Sequence, residues 1–219
     1  TSNTNALGSL THEFQHFCIG NVEIPGVQSA QVSYPTLVGD LKFLGLNKHV
    51  VAPIEPPVSK VNIEALLISD DVFLPMTGNY GVNGYLFKSR SNLNENVSFA
   101  SGYLTNYNLS YTIGEVPRIN VEFDVFGNIG TLERIEPIMY TNWNVFQNTQ
   151  STKLLYIPSP GTMYVSFDGS TINRLTSYDL KINIPRQAIF QLGSRSPYAI
   201  ASSYKQIQCE FTFELSKID

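Results

Sequence analysis

The stretch YLTNYNLSYTIGEVPRINVEFDVF spans residues 103–126 and decides the fold class. On both sides of Gly114 and Pro117, apolar or aromatic residues alternate with polar ones, which is the period of a strand with one buried face. Val, Ile, Tyr and Phe favour strands, and the Gly and Pro between the runs favour a tight turn. The stretch therefore predicts an antiparallel hairpin of two strands, 103–113 and 119–126.

The same alternation recurs along most of the chain. Five further runs, each bounded by Gly, Pro, Asn or Asp, are VQSAQVSY (27–34), KVNIEALL (60–67), MYVSF (163–167), LTSYDLKINI (175–184) and IQCEFTFEL (207–215). We therefore predict a mainly β protein, built as an antiparallel β-sandwich or partial barrel. Because no stretch has the composition of a linker, residues 1–219 are expected to form a single domain.

Two stretches depart from this alternation and predict short flanking helices. PTLVGDLKFLGLN (35–47) has Leu37, Leu41 and Leu44 at helical spacing, followed by a glycine. PRQAIFQLGS (185–194) has a proline where a helix can begin and a glycine where one can end. Both patterns are typical of helices of two or three turns, so we expect one or two such helices beside the sheet.

The same two stretches reveal an internal repeat. Aligning Gly45 with Gly193 sets an offset of 148 residues (193 − 45). At that offset the matching positions are Ser29 with Ser177, Val32 with Leu180, Leu41 with Ile189, Leu44 with Leu192, Val61 with Cys209, Ile63 with Phe211, and Ala65 with Phe213. Each copy has the pattern strand, short helix, loop, strand, which predicts a pseudo-symmetric β structure.

Three segments have a less regular sequence. Residues 1–26 predict an N-terminal arm or strand, and residues 128–162 predict an irregular insertion. Residues 69–99 carry several Gly and Asn residues, and a loop of that length in a compact domain is usually functional. We therefore expect 69–99 to be a long loop that contacts other subunits. Its candidate contact residues are Gly78, Tyr80, Gly81, Gly84, Tyr85 and Phe87.

The charge balance limits the possible partners. Charged residues make up 15% of the chain, and the formal net charge is −4. Sparse charge suits a subunit that packs against copies of itself. A protein that grips nucleic acid needs clustered Lys and Arg, which this composition does not offer. No apolar run reaches the roughly 18 residues of a membrane helix, so no membrane span is expected.

A protease-like motif occurs near the beginning. His12, Glu13 and His16 match H-E-x-x-H, which on a helix binds zinc through two imidazoles and uses the carboxylate as a general base. The positions where a metzincin has its next glycine and histidine are Ile19 and Val22. The segment also alternates like a strand. A zinc hydrolase is therefore a remote alternative, and we expect no catalytic residue, cofactor or metal.

Other chemical patterns are weaker. There is no G-x-S-x-G nucleophile elbow, and the Gly-rich GNYGVNG lacks the lysine of a P-loop. Asp70 and Asp71 are neighbours, and adjacent side chains on a strand point to opposite faces. Cys18 and Cys209 lie far apart and match no metal-binding spacing, so we expect two buried thiols rather than a disulfide.

The C-terminal block resembles a known family. SFDGSTINRLTSYDLKINIPRQAIFQLGSRSPYAIASSYKQIQCEFTFEL (166–215) is similar to the major tail tube proteins of tailed bacteriophages. Those proteins have a strand near xxSxxLxIxxP, a short helix ending in LG and a basic residue, then a proline and a return strand. The matching positions are Ser177, Leu180, Ile182, Pro185, Leu192, Gly193, Arg195 and Pro197. The predicted hairpin and IPGVQSAQVSYP (24–35) also resemble tail-protein sequence.

The resemblance implies a structural subunit of a phage tail tube rather than an enzyme. Tube proteins form stacked hexameric rings, in which strands of neighbouring subunits join into a barrel around a channel. The implied partners are other copies of the chain, other tail proteins such as sheath, baseplate or terminator, and viral DNA that passes through the lumen without specific binding. The implied location is the virion, after assembly in the host cytoplasm.

The chain departs from the simplest tube proteins in two respects. Its first repeat carries an apparent helix of its own, and residues 128–162 look like an insertion. The alternatives are therefore related phage structural proteins, namely a tail terminator, a tube initiator, a distal tail protein or a capsid decoration protein.

Overall fold

The structure is a computed structural model of the chain. It describes residues 10–14, 16–20, 22–34, 38–42, 49–53, 58–68, 70–78, 80–87, 96–130, 157–159, 162–192 and 197–214. The predicted mainly β fold is confirmed, in the form of a curled antiparallel sheet that makes a half-barrel. The one helix among the described residues is a single 3₁₀ turn, Leu74–Thr77.

The described residues form seventeen strands. The first nine are β1 Leu10–Phe14, β2 His16–Ile19, β3 Val22–Glu23, β4 Val27–Tyr34, β5 Val38–Lys42, β6 His49–Pro53, β7 Ser59–Leu66, β8 Val82–Phe87 and β9 Asn96–Thr112. The remaining strands are β10 Arg118–Val125, β11 Ile129–Gly130, β12 Val165–Phe167, β13 Ser170–Ile172, β14 Leu175–Asn183, β15 Arg186–Ile189, β16 Ala199–Ser202 and β17 Gln206–Phe213.

The main sheet is organised around the long strand β9. One edge of β9 pairs with β10, beyond which lie β7, β4 and β1 in that order. The other edge pairs with β8 through residues 96–102 and with β14 through residues 106–112. β8 leads on to β2 and β3, and β14 leads on to β17. The sheet therefore divides where β9 passes from one set of neighbours to the other.

The division coincides with a bend in β9. Ser101 adopts a positive φ of 55°, which is unusual for a residue other than glycine, and it lies where β9 leaves regular pairing. Phe126 donates its backbone N–H to the Ser101 carbonyl, and Ala100 donates its N–H to the backbone carbonyl of Asn128. A bulge of this kind increases the local twist, which helps β8 and β2 curl over the sheet. The half-barrel encloses the core between these two parts.

The predicted hairpin is confirmed. β9 and β10 pair antiparallel from Gly102↔Val125 to Ser110↔Arg118, and Gly114 turns the chain with a φ of +83°. The other alternating runs correspond to β4, β7, β12, β14 and β17. Alternation was a sufficient signal because each of these strands has one apolar side and one polar side.

Both predicted helices are wrong. In place of a helix at 35–47, β5 pairs with β6, and in place of a helix at 185–194, β15 pairs with β16. In β15 the half-buried Arg186 and Ala188 alternate with the exposed Gln187 and Ile189, so the actual period is two. A partner strand a few residues further on satisfies the backbone groups, and Gly39 disfavours a helix in the first stretch by about 1 kcal/mol.

The internal repeat is confirmed in the backbone pairing, with a hairpin where a helix was expected. We call β4–β7 the first unit and β14–β17 the second unit. A shift of 148 residues converts the register Val27↔Ala65 into Leu175↔Phe213, and the same shift relates the other pairs of β4 with β7 to those of β14 with β17. Both units carry the register irregularity at the same place, immediately after the first of these pairs.

The three less regular segments have mixed outcomes. Within 1–26 the chain forms β1, β2 and β3. Residues 69–99 are not one long loop, because they contain the 3₁₀ turn, β8 and the beginning of β9. Most of 128–162 lies outside the described residues.

Candidate assembly surface

The central sheet has two faces of opposite character. It comprises β1, β4, β7, β10, β9, β14 and β17, and the registers align side chains of like character across neighbouring strands. We call the apolar side the core face: Ala30, Val32, Val61, Ile63, Ala65, Leu104, Tyr107, Leu109, Tyr111, Ile119, Val121, Phe123, Val125, Tyr178, Leu180, Ile182, Ile207, Cys209, Phe211 and Phe213.

The other side, the polar face, consists mainly of uncharged side chains. They include Ser29, Gln31, Ser33, Asn62, Asn106, Asn108, Ser110, Asn120, Asn183 and Gln208. Its carboxylates are Glu64, Glu122, Asp124, Asp179 and Glu210, and its cations are Lys60, Arg118 and Lys181. Carboxylates thus outnumber cations, and the face is mildly acidic.

Ion pairs on the polar face are concentrated on the first unit and β10. Lys60 Nζ lies 2.5 Å from Glu122 Oε1 and 3.9 Å from Asp124 Oδ1. The hydrogen bond that Lys60 donates to Glu122 raises the pKa of Lys60, and burial raises the pKa of Asp124 despite the nearby ammonium. Arg118 adds a longer contact of 3.6 Å to Glu64. Charge in this half of the face is therefore largely paired.

The chain itself covers the core face of the first unit. Val61, Ile63 and Ala65 on β7 are at most 2% exposed. Phe17 on β2 lies above this part of the sheet, and its ring stacks on Phe73 with 6.3 Å between the ring centroids. Burying one of the larger side chains fully stabilises the fold by about 1.5–3 kcal/mol. The core face of the first unit therefore contributes strongly to stability within the single chain.

The core face of the second unit is incompletely covered. At the positions equivalent to the three buried residues of β7, Cys209 is exposed and Phe211 and Phe213 are only half-buried. Ile207, at the position of the buried Ser59, is 63% exposed. The two units thus share a backbone register but differ in what lies over them.

Aromatic rings line the open end of the core face. Tyr111, Tyr178, Phe211 and Phe213 form a row across three strands, with successive centroids 6.3, 5.2 and 6.4 Å apart. Burial raises the pKa of both Tyr111 and Tyr178. Such a row offers a large contact area to any element that packs against it.

Large apolar side chains are also exposed on the connection between β14 and β17. They are Ile189, Phe190, Leu192, Tyr198 and Tyr204, and Leu192 and Tyr204 have almost their whole side chains in solvent. With Ile207, the second unit carries six of the eleven large apolar side chains that are exposed among the described residues. We call this set, with β17 and the aromatic row, the assembly surface. Exposed apolar patches of this kind usually mark interaction sites.

Arg186 fixes the β15–β16 hairpin to the rest of the molecule. Its Nε donates to the Leu104 carbonyl at 3.2 Å, and an Nη donates to the Gly78 carbonyl at 2.7 Å. The guanidinium also lies 5.6 Å from the centroid of the Tyr103 ring, within cation–π range. Burial lowers the pKa of Arg186, although the group stays charged.

The predicted contact residues do not form one surface patch. Gly81 and Gly84 are buried, and a Cβ on Gly84 would lie 2.4 Å from the Phe99 ring. Tyr85 is half-buried in β8, and Phe87 joins β8 to β2 through its backbone. Gly78 follows the 3₁₀ turn, and the partly exposed Tyr80 donates a hydrogen bond to the Pro75 carbonyl. Their role between subunits stays a prediction.

The H-E-x-x-H residues do not lie on a helix. His12 and Glu13 belong to β1, which pairs with β4, whereas His16 begins β2, which pairs with β8 and β3. His16 Nδ1 is 3.1 Å from Glu23 Oε1. The helical turn that would bring two imidazoles together is therefore not formed. Among the described residues, no three His, Cys, Asp or Glu side chains come together as a metal site.

The two cysteines are free thiols, and neither is fully buried. Cys18 is half-buried in β2, and Cys209 is exposed on β17. The expectation of two buried thiols was therefore wrong in its burial, because strand alternation predicts which side of a sheet a residue is on but not whether that side is covered.

Comparisons with models of known families and with curated proteins found no match. In the part of the chain that the structure describes, no helix has both the length and the apolar character needed to cross a membrane. Sequence reasoning missed Arg186 and the assembly surface. The repeat alignment already paired Val61 with Cys209, but no local signal states which of two equivalent strands is covered.

Proposed function

We propose that this chain is a structural subunit of a bacteriophage tail tube, which assembles into stacked hexameric rings around a channel for DNA. The observation that carries the proposal is the two-faced central sheet with an uncovered second unit. A tube wall needs a polar lining on one side, a packed layer on the other, and strands whose edges meet those of neighbouring subunits.

The polar face has the properties that a DNA channel requires. Asn, Ser and Gln side chains dominate it, its cations are few, and Lys60 and Arg118 lie beside carboxylates. Strong binding of phosphates needs several unpaired Lys or Arg side chains. A lining of this composition would wet the channel without holding the DNA, which agrees with passage rather than storage.

The assembly surface supplies the second requirement. A monomer that leaves Ile207, Phe190 and Tyr198 in solvent carries an aggregation hazard unless another surface covers them. Contact between different surfaces of successive copies closes into rings or extends into filaments. In this role the protein would act in the virion, with other tail proteins at the ends of the tube, after assembly in the host cytoplasm.

Negative-stain electron microscopy of the purified protein, with sedimentation velocity on the same sample, tests this proposal. We expect six-fold rings or stacked tubes with a central channel, and a sedimentation profile dominated by assemblies. Ile207→Asp, which places a charge on the assembly surface, should shift the profile toward monomers, whereas Ile172→Asp on the exposed hairpin β12–β13 should not. A protein that stays monomeric at all accessible concentrations would rule the proposal out.

A further inference from the structure

The outer edge of β17 differs from the corresponding edge of β7. In the first unit β7 lies between β4 and β10, and β10 contributes Ile119, Val121 and Phe123 to the core face. In the second unit β17 pairs with β14 and with no other strand of the described residues. The position that β10 occupies beside β7 is therefore filled in the first unit. Beside β17, the described residues supply no equivalent strand.

One hydrogen bond shows which backbone N–H and C=O groups of β17 face β14 and which face the outer edge. Glu214 donates its N–H to the Arg174 carbonyl, on the β14 side, as Leu66 does to Gly26 in the first unit. Successive residues of an antiparallel strand direct their N–H and C=O groups to opposite edges. The backbone groups of Thr212, Glu210 and Gln208 therefore face β14, and those of Ile207, Cys209 and Phe213 face the outer edge.

The side chains of β17 do not protect that edge. Natural edge strands usually carry Pro, Lys or inward-pointing charges that prevent pairing with another chain. The sequence QIQCEFTF contains neither Pro nor Lys, and its single charged residue is Glu210. Ile207 and Cys209 are exposed on the core face of the same strand. β17 therefore has the backbone and the side chains of a strand in the interior of a sheet.

Charge also indicates what an added strand should carry. Asp179 on β14 lies directly opposite Glu210 on β17, and like charges in that position repel. No Lys or Arg of the described residues forms an ion pair with either carboxylate. On the first unit and β10, Lys60 and Arg118 stand among the carboxylates of the polar face. A Lys or Arg on the polar side of an added strand would offset the repulsion.

We propose that β17 receives an eighth strand on its outer edge, antiparallel to it and in the register that β10 has beside β7, and that a second copy of this chain supplies it. The inference rests on the proposed assembly into rings. The required strand alternates apolar and polar residues with a cation on the polar side, and this chain itself makes strands of that kind, such as KVNIEAL in β7. Its apolar residues would extend the core face sideways, beyond Ile207, Cys209 and Phe213.

Amide hydrogen exchange at single-residue resolution tests the inference directly. The amides of Gln208, Glu210 and Thr212 should be protected in both dilute monomers and assemblies, because they face β14. Those of Ile207, Cys209 and Phe213 should be protected only in assemblies. Fast exchange of the second group in assemblies overturns the inference. Protection already present in monomers also overturns it, because a segment of the same chain would then fill the edge.

A proline substitution provides a second test. Cys209→Pro removes one outward N–H and leaves the hydrogen bonds to β14 in place, whereas Cys209→Ala removes the thiol and keeps the N–H. We expect Cys209→Pro to weaken association at least about tenfold relative to Cys209→Ala. Equal association of the two variants contradicts the inference. Circular dichroism checks that the proline variant folds, and if it does not, the exchange measurement decides.

The two proposals can fail separately. Protected outward amides in a small closed oligomer would support the eighth strand and contradict the proposal of a tail tube. Rings or tubes in which the outward amides of β17 exchange freely would support the tail tube and contradict the eighth strand.

Discussion

Asp71 connects the 3₁₀ turn Leu74–Thr77 to strand β9 of the central sheet through its two carboxylate oxygens. Its Oδ1 accepts hydrogen bonds from the N–H groups of Phe73 and Leu74, at 2.8 and 3.1 Å, and so caps the 3₁₀ turn. Its Oδ2 accepts from the Tyr107 hydroxyl at 2.5 Å. Burial, and then the bond to Asp71, raise the pKa of Tyr107 far above its ordinary value of 10. The Asp71 carboxylate therefore fixes the position of the 3₁₀ turn relative to β9.

Tyr107→Phe should lower the free energy of unfolding by about 1–3 kcal/mol at pH 7, because Asp71 loses its partner within the core. The raised pKa fixes the pH dependence. The neutral Tyr107 phenol stabilises the wild-type fold fully below pH 10, and this stabilisation is lost as the pH rises above 10. The difference in unfolding free energy between wild type and Tyr107→Phe should therefore shrink above pH 10. Urea unfolding at pH 7 and above pH 10 measures this, with the exposed Tyr164→Phe as a neutral control. A constant difference at all pH values would contradict it.

Gly84 is required by packing within the chain. A Cβ at this position would lie 2.4 Å from the Phe99 ring and 2.8 Å from the Phe17 ring, and both rings are fully buried. Gly84→Ala should therefore destabilise the fold by about 1–3 kcal/mol. Adding Phe99→Leu should recover part of that loss, since the shorter side chain leaves room for the methyl group. Purely additive effects in the double-mutant cycle would show that the two residues do not compete for space.

At the scale of elements, Arg186 anchors the β15–β16 hairpin to the rest of the molecule. Arg186 contacts two backbone carbonyls and one ring, and its counterpart in the first unit is Val38. Both units have an antiparallel hairpin here, but the arginine is present only in the second unit. The exposed apolar residues at the end of the hairpin depend on the anchor for their position.

Arg186→Lys should loosen the hairpin, because one ammonium cannot reproduce the forked contacts to Leu104 and Gly78. We expect faster amide exchange in β15 and β16 and a loss of about 1–3 kcal/mol, with little change in exchange in β7 or β10. Arg174→Lys, on an exposed side chain, is the matched control. Unchanged exchange in the hairpin of the Arg186 variant would show that other contacts hold it.

Local alternation was enough to predict the strands that form the central sheet, because each has one buried side. It failed for β5 and β15, where apolar residues three or four positions apart indicated a helix but pairing with β6 and β16 formed strands instead. It also failed for β8, whose glycines suggested a loop although Gly84 is where two rings pack. These errors share a cause, which is that pairing with a partner strand decides the outcome and no pattern within the segment itself reports that pairing.

At the scale of the whole molecule, the internal repeat was the most informative feature of the sequence. It predicted which strands are equivalent, and the pairing agrees residue by residue. It could not predict that β7 lies between two strands while β17 has one partner among the described residues, because that depends on the number of neighbours rather than on the strand itself. The assembly surface is therefore a property of the arrangement, visible only when the two units are compared in three dimensions.

The odd number of strands in the central sheet gives it a polarity. Every neighbouring pair from β1 through β4, β7, β10, β9 and β14 to β17 is antiparallel, so the two outermost strands run in the same direction. Copies joined directly, β17 to β1, would meet in a parallel seam, which is slightly weaker per residue. One intervening strand removes that mismatch at every seam. A ring built in this way repeats every eight strands, and all its subunits point the same way, so its front differs from its back.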